Sequence, residues 1–314
     1  MRIIRSIEEI ESPLENAVVT IGNFDGVHLG HQALLHTVNE HADAFGGTST
    51  AITFEPHPTR VLKRNGHPPL ITLIEQKSEL IARAGIAVLI IIPFSKQFAE
   101  INPRRFVAEI LVRRIGMRAL VVGRDYTFGK DRRGSLEVLR QWAPELGYEV
   151  IVVDWIQSMR GSTNRISSTR IRQLVMEGDM QAAKRLLGRD YQIRGKVDKG
   201  KNRGGRLLGF PTANINLQDE LSPREGIYAV VVEHGDRVLK GVANIGYSPT
   251  FDDHQFTVEV HIIDFEDDIY GDAIRINFIK RLRDEIKFES IHALAAQIRC
   301  DVIEARRLLA AIAT

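Results

Sequence analysis

Residues 17–31 read AVVTIGNFDGVHLGH, and their order decides the fold of the first half of the chain. Ala17, Val18, Val19, Thr20 and Ile21 make a β-branched run suited to a strand buried on both faces. It leads straight into Gly22, Gly26 and Gly30, and an amphipathic pattern with Ala33, Leu34 and Val38 follows. A strand, a glycine-rich turn and a helix in that order place the turn at the carboxyl edge of an open α/β sheet, where such sheets bind ligands. Small residues let backbone N–H groups approach phosphate oxygens, and the helix N-terminus adds partial positive charge. His28 and His31, three apart, are expected to project from one face of the first helical turn and hold a nucleotide phosphate together. Such a pair also suits a metal, but no third ligand is identifiable nearby.

Working outward, STAITFEP (residues 49–56), AVLIIIPF (87–94), RALVVGRD (118–125) and YEVIVVDW (148–155) read as further strands alternating with helical patterns. This predicts a Rossmann-like, doubly wound parallel sheet. Thr72 with Glu75 forms a capping-box pattern, and Asn102 is placed as N-cap before Pro103. After Leu187 the pattern changes: YQIRGKV, GIYAVVVEH, RVLKGVANIG, FTVEVHIID and AIRINFIK succeed one another with only turn residues between them. That spacing predicts a small antiparallel β-barrel. Leu294, Ile298, Val302, Ala305 and Leu309 then recur at helical spacing, predicting a terminal helix that lids the barrel. The domains are accordingly expected at 1–187 and 188–314.

Composition narrows the class. The chain has 314 residues with 42 Lys plus Arg against 40 Asp plus Glu, so no global field favours a nucleic-acid partner. Cys300 is the one cysteine, which excludes an internal disulfide and a cysteine-based zinc cluster. The longest apolar run, Ala87–Phe94, is far too short for a membrane span, and Glu8, Glu9 and Glu11 interrupt the start; a cytoplasmic location is expected. Gly123–Lys130 invites a P-loop reading, but five residues separate its glycines and Asp131 stands where Ser or Thr should bind magnesium, so that reading is rejected.

Two further motifs carry chemistry. In ISSTRIR (residues 166–172), Ser167 or Ser168 can cap the following helix, whose free N–H groups form an anion site with Arg172. In GFPTAN (residues 209–214), Thr212 and Asn214 point to one side of an extended strand and offer hard oxygen ligands suited to Mg²⁺. The basic, glycine-rich segment from Gly195 and Lys196 to Arg206 can fold over a nucleotide's phosphates. Thr257, Glu259 and His261 alternate with Val258, Val260 and Ile262, so a carboxylate shares a strand face with other polar groups.

GNFDGVHLGH resembles the HxGH signature of the nucleotidylyltransferase superfamily. Together with FEPHP (residues 54–58), VVGRDYTFG (121–129), ISSTRIR, GFPTAN, NIGYSPTF (244–251) and VEVH around Glu259, it resembles the bacterial bifunctional riboflavin kinase/FMN adenylyltransferases along nearly the entire chain. The resemblance implies that a C-terminal domain phosphorylates riboflavin to FMN with ATP and Mg²⁺, and that an N-terminal domain adenylylates FMN to FAD. It places His28 and His31 in catalysis of the second reaction. Gly22, Phe24, Asp25, Gly30, Ser167, Ser168, Thr169 and Arg172 fall on the ATP side, and Phe54, His57 and Asp125 on the flavin side. In the kinase domain it implies Glu259 as general base, Thr212 and Asn214 as metal ligands, Gly195, Lys196 and Gly209 toward ATP, and Arg283 toward the flavin. Two departures stand out: the basic loop before GFPTAN looks one residue longer than usual and lacks the common Gly-Asp, and Arg124 replaces a frequently acidic residue. A nucleotidylyltransferase for another phosphorylated acceptor and a non-catalytic flavin or nucleotide sensor remain as alternatives.

Overall fold

The computed structural model describes residues 1–62, 68–129, 134–154, 165–198, 210–217, 219–247 and 256–312, and the chain divides into two compact units, Met1–Ser168 and Thr169–Thr314. The division lies N-terminal to the boundary expected after Leu187. Helices Ser168–Glu177 and Met180–Leu187 precede the second unit's sheet, and the latter helix packs against two of its strands.

In the first unit the strands are β1 (Arg2–Ile4), β2 (Ala17–Ile21), β3 (Ser49–Glu55), β4 (Val88–Pro93) and β5 (Met117–Gly123), then a short antiparallel pair, β6 (Thr127–Phe128) and β7 (Gly134–Ser135), and last β8 (Glu149–Val153). The main sheet is wholly parallel, in the order β1-β4-β3-β2-β5-β8. Parallel neighbours require crossovers. Helices Leu29–Phe45, Ile74–Arg83 and Leu136–Leu146 and the π-helical turns Phe106–Ile115 supply them. Both faces are covered: Val19, Ile21, Ile52, Ile90 and Leu120 pack with Phe106, Val107 and Leu111, while Val18, Ala51, Leu89, Ile91 and Val121 pack with Leu35, Val38 and Ile81. From β2 the chain moves to β3 and β4 on one side and returns to β5 on the other, so the topological switch point falls at the carboxyl end of β2. The GNFDGVHLGH turn leaves the sheet there.

β1 is an addition to the expected strands; it spans three residues, too few to show a period. The capping box expected at Thr72 does not form. The helix begins at Ile74 with Leu73 as N-cap and no side-chain cap, because Thr72 is engaged elsewhere, as described below. Asn102 does cap its helix, accepting from the N–H groups of Arg104 and Arg105.

The second unit holds β9 (Tyr191–Lys196), β10 (Ala213–Asn216), β11 (Gly226–His234), β12 (Arg237–Tyr247), β13 (Phe256–Ile262) and β14 (Ala273–Arg283), antiparallel throughout and ordered β10-β13-β12-β11-β14-β9. A bridge between Asp198 and Asn214 joins the two outer strands, so the sheet curls into a nearly closed barrel. Its interior takes every second residue. Tyr228 and Tyr191 meet Phe278, with ring centroids 5.3 and 6.0 Å apart, and Val230, Val232, Ile245, Val258, Val260 and Ile276 are buried with them. Each buried phenol finds a carbonyl, Tyr191 that of Leu221 and Tyr228 that of Arg224.

Helix Ile291–Leu308 covers the barrel, as expected, and does so on its outer wall. Val302 and Ala305, with Leu309 just beyond, pack on Ile227, Ala229, Val231 and Val242, which alternate with the interior residues and therefore lie on the outer wall. The apolar character of both faces of β11 explains the choice: its outer residues need a cover as much as its inner ones.

Candidate active sites

The first site is built by the turn after β2. Gly22 donates its N–H to the carbonyl of Ile52 (3.0 Å), and Val27 closes the turn on Phe24 (3.1 Å). Asp25 is buried, and its Oδ1 accepts from the N–H groups of Ile71 (3.0 Å) and Thr72 (3.1 Å), while the Thr72 hydroxyl accepts from the N–H of Gly26 (2.9 Å). Thr72 thus ties the turn to the segment before the next helix. Ser168, expected as a cap, instead donates its hydroxyl to the carbonyl of Asp25 (2.8 Å) from the first position of its helix. Thr169 and Arg172 follow on that helix in the second unit, and Ser167 directly precedes it.

His28 is the N-cap of helix Leu29–Phe45, and its Nδ1 accepts from the N–H of His31 at 3.3 Å. The imidazole accepting through Nδ1 carries its proton on Nε2 when neutral. Rather than projecting side by side from a helical turn, the two rings stack, with centroids 3.6 Å apart and planes inclined by 15°. Phe24 meets the edge of the His31 ring at 5.3 Å. Gly30 makes room for the stack: a Cβ there would lie 3.2 Å from both Cε1 and Nδ1 of His28.

The His31 Nδ1 is buried without a hydrogen-bond partner among the described residues. Burial holds the imidazole well below its ordinary pKa, and the neighbouring His28 and Lys77 depress it further. Near neutral pH His31 is therefore uncharged and acts as a hydrogen-bond donor or acceptor. Lys77, which the sequence reading missed, is almost fully buried on helix Ile74–Arg83. Burial lowers its pKa, and the carboxylates of Asp25 and Glu55 oppose that fall. The signal was a lysine between Ile74 and Ile81 on the helix's inward face, a place where lysine is rare.

Beside the turn, at the carboxyl end of β3, Phe54 opens a run of aromatic rings. It meets Phe94 (5.5 Å) and Phe98 (6.1 Å), Phe98 meets Phe106 (5.9 Å), and Phe106 meets Phe128 (5.9 Å), which stacks on Tyr126. Phe54, Phe98, Phe106, Tyr126 and Phe128 pack with the core beneath the carboxyl edge of the sheet. His57 is buried, with Nδ1 2.8 Å from the Thr59 hydroxyl. Asp125, just past β5, pairs with Arg165, and Arg124 pairs with Asp154 at 2.6 Å. The unusual charge at Arg124 therefore has a neutralising partner on the same edge of the sheet.

In the second unit the site is a row across strands. Asn214 on β10 stands opposite Glu259 on β13, which stands opposite Asn244 on β12. Directly opposed residues point to one face, and Asn244 in turn opposes Ile227, so the row lies on the outer wall. One stretch of that wall is apolar beneath the terminal helix; the adjoining stretch carries Asn244, Glu259, Thr257 and His261. Thr212 precedes β10, and its carbonyl lies 3.5 Å from the Asn214 Nδ2, which turns the amide nitrogen toward it and leaves Oδ1 for another partner. His261 holds the carbonyl of Pro211 at 3.0 Å.

Gly195 and Lys196 are residues of β9 and not part of a loop. Gly195 closes the barrel: a Cβ there would lie 2.4 Å from Cγ2 of Ile215. Gly209 and the basic stretch 199–206 lie outside the described residues. Arg283 ends β14 in a clamp on the terminal helix. Its Nη2 and Nε bond the carboxylate of Asp301 at 2.6 and 2.9 Å, and Gln297 bonds the same group at 3.0 Å. Asp301 is buried, so its charge requires that partner.

Comparison with known proteins matches both halves of the chain. The family model for FAD synthetase matches residues 10–170, and that for riboflavin kinase matches residues 187–309. A bifunctional riboflavin kinase/FMN adenylyltransferase of Escherichia coli (strain K12) is 36% identical over 308 residues, 98% of this chain and 97% of its own. That of Bacillus subtilis (strain 168) is 37% identical over 303 residues, 95% of this chain and 94% of its own. A crystal structure from Streptococcus pneumoniae, named as a macrolide-efflux protein, is 33% identical, superposes with a TM-score of 0.87, and covers 97% of this chain and 98% of its own. With both models matched in tandem and relatives of the same span, the chain belongs to the bifunctional riboflavin kinase/FMN adenylyltransferase family.

Proposed function

We propose that the chain makes FAD from riboflavin in two ATP-dependent steps whose order runs opposite to the chain. In the first, Glu259 takes the proton from the primary hydroxyl of the riboflavin side chain as that oxygen attacks the γ-phosphorus of ATP, giving FMN and ADP. In the second, the FMN phosphate attacks the α-phosphorus of a second ATP, giving FAD and pyrophosphate. The FMN phosphate is itself the nucleophile, so that site needs only to position the reactants and stabilise charge. His28 and the uncharged His31, stacked at a helix N-terminus, donate N–H groups to the phosphates. The observation that carries the proposal is the tandem family match falling on two sheets, one presenting the histidine stack and the other the Glu259 row.

Within this reading, Gly22, Phe24, Asp25, Gly30, Ser167 and Ser168 of the first unit serve the adenylylating ATP, a role also assigned to Thr169 and Arg172, and Phe54, His57 and Asp125 serve the flavin. Gly195, Lys196 and Gly209 lie toward the kinase ATP, and Arg283 toward riboflavin through whatever its clamp leaves open. The Thr212 hydroxyl and the Asn214 amide oxygen are hard donors that would hold Mg²⁺. Bound there, the ion would supply charge neutralisation to the phosphates. The kinase domain is taken as 188–314, with 1–187 completing the adenylyltransferase, in a cytoplasmic enzyme. The pneumococcal structure is named for efflux, yet no helix among the described residues is long and apolar enough to cross a membrane.

The test is to incubate the purified protein with riboflavin, ATP and MgCl₂ and separate the flavins over time. FMN followed by FAD is expected. FMN alone would return the N-terminal domain to another phosphorylated acceptor, and neither product would favour a sensor.

A further inference from the structure

The polar row of the second unit contains an acceptor that the fold leaves unsatisfied. Asn244 stands directly beside Glu259 in the β12–β13 register, yet its Oδ1 is buried with no hydrogen-bond partner among the described residues. A buried carbonyl oxygen without a partner destabilises a fold, and an apolar side chain of similar shape would avoid that loss. The neighbouring outer-wall positions, Val242 on the same strand and Ile227 opposite Asn244, are apolar and sealed by the terminal helix. At Asn244 the apolar cover stops, although packing alone would favour its continuation.

Beyond Asn244 the wall carries a carboxylate. Gly246, the next residue on that face of β12, has no side chain, and a Cβ there would lie 3.1 Å from Oε2 of Glu285. Asn244 Oδ1, the Glu259 carboxylate and the Glu285 carboxylate thus present acceptors to one stretch of wall. These three oxygens accept, so hydroxyl groups, which donate, match them.

We propose that the amide oxygen of Asn244 accepts a hydrogen bond from a hydroxyl of the acceptor's polyol chain, adjacent to the hydroxyl that Glu259 deprotonates, and so selects a polyhydroxylated substrate. This rests on the reading of Glu259 as the kinase base. Asn244 binds and aligns the chain; Glu259 handles the proton. A site built to bond a hydroxyl discriminates strongly against an analogue lacking it, because the buried polar group is then left unpaired.

The full-length Asn244→Leu variant tests this, with lumiflavin, which carries a methyl group in place of the polyol chain, as a competing ligand in the kinase assay. For the wild type, the KM for riboflavin should lie at least about tenfold below the inhibition constant of lumiflavin. In Asn244→Leu that preference should shrink toward unity, with KM for riboflavin raised, FAD formation from added FMN unchanged, and the thermal midpoint unchanged or higher. An unaltered preference would overturn the proposal, as would a fall in preference accompanied by a lower midpoint, which marks a structural residue. If the variant does not fold, a wild type that prefers riboflavin no more than lumiflavin overturns it without any substitution. Full turnover by Glu259→Gln would instead defeat the base assignment and leave the ligand preference as a separate result.

Discussion

In the first unit the histidine stack and its supporting glycines come from the single stretch Gly22–His31, whereas in the second Asn214, Glu259 and Asn244 meet only because three strands stand in register. The first site is local geometry: a tight turn, a helix N-cap, and a glycine whose missing Cβ admits a ring. The second is topology, since residues far apart in sequence share a row once the barrel curls. A local site is exposed to small steric changes within its own turn. A register site tolerates those, but it depends on each group in the row having the right chemistry.

The largest expected effect is at the register site. Glu259→Gln keeps the shape of the row and removes the proton acceptor, so FMN formation should fall by about 10²–10⁴-fold while adenylylation of added FMN continues at the wild-type rate. Parallel loss of both activities would mean that the two regions are not chemically separate. The steric sensitivity of the local site is probed by Gly30→Ala. The new Cβ, 3.2 Å from the His28 ring, must push that ring aside by a few tenths of an ångström. FAD formation should drop by about tenfold with the fold retained, since small misplacements of positioned groups are costly in rate. Unchanged FAD formation would show that the stack is not the working geometry.

A smaller effect follows from the buried imidazole. The folded-state pKa of His31 lies below its unfolded value near 6.5, so the unfolded chain binds more protons in the interval between them. The stabilising contribution is complete above about pH 6.5 and is lost as pH falls through the folded-state value, by about 1.4 kcal/mol for each pH unit of that interval. Urea unfolding from pH 7.5 to 5 should show a steeper loss of stability in the wild type than in His31→Asn. Equal slopes would place the His31 ring in solvent.

The same contrast explains what the amino-acid sequence revealed. Strands such as Gly226–His234 are readable because β-branched runs bounded by turn residues have few other solutions, and the histidine turn is readable because its chemistry is consecutive. Thr72 misled because a capping box is a local pattern, and here the turn carrying Asp25 and Gly26 competes for the same hydroxyl and N–H from far along the chain. Ser168 was drawn to the carbonyl of Asp25 in the same way. The terminal helix was correctly seen as an apolar stripe, but a stripe does not say which apolar surface it will cover. Asn244 lay within a quoted motif without a role, since its importance rests on the residue opposite it and on the absence of a partner for its oxygen. Lys77 needed knowledge of what surrounds it.

Full-length His28→Ala given riboflavin, ATP and MgCl₂ tests the central claim most directly, that two separate sites carry two successive reactions. FMN should accumulate at the wild-type rate while FAD formation falls by about 10²–10³-fold, as for loss of a group that stabilises transition-state charge. FAD appearing at the wild-type rate, or loss of FMN formation along with it, would contradict the account.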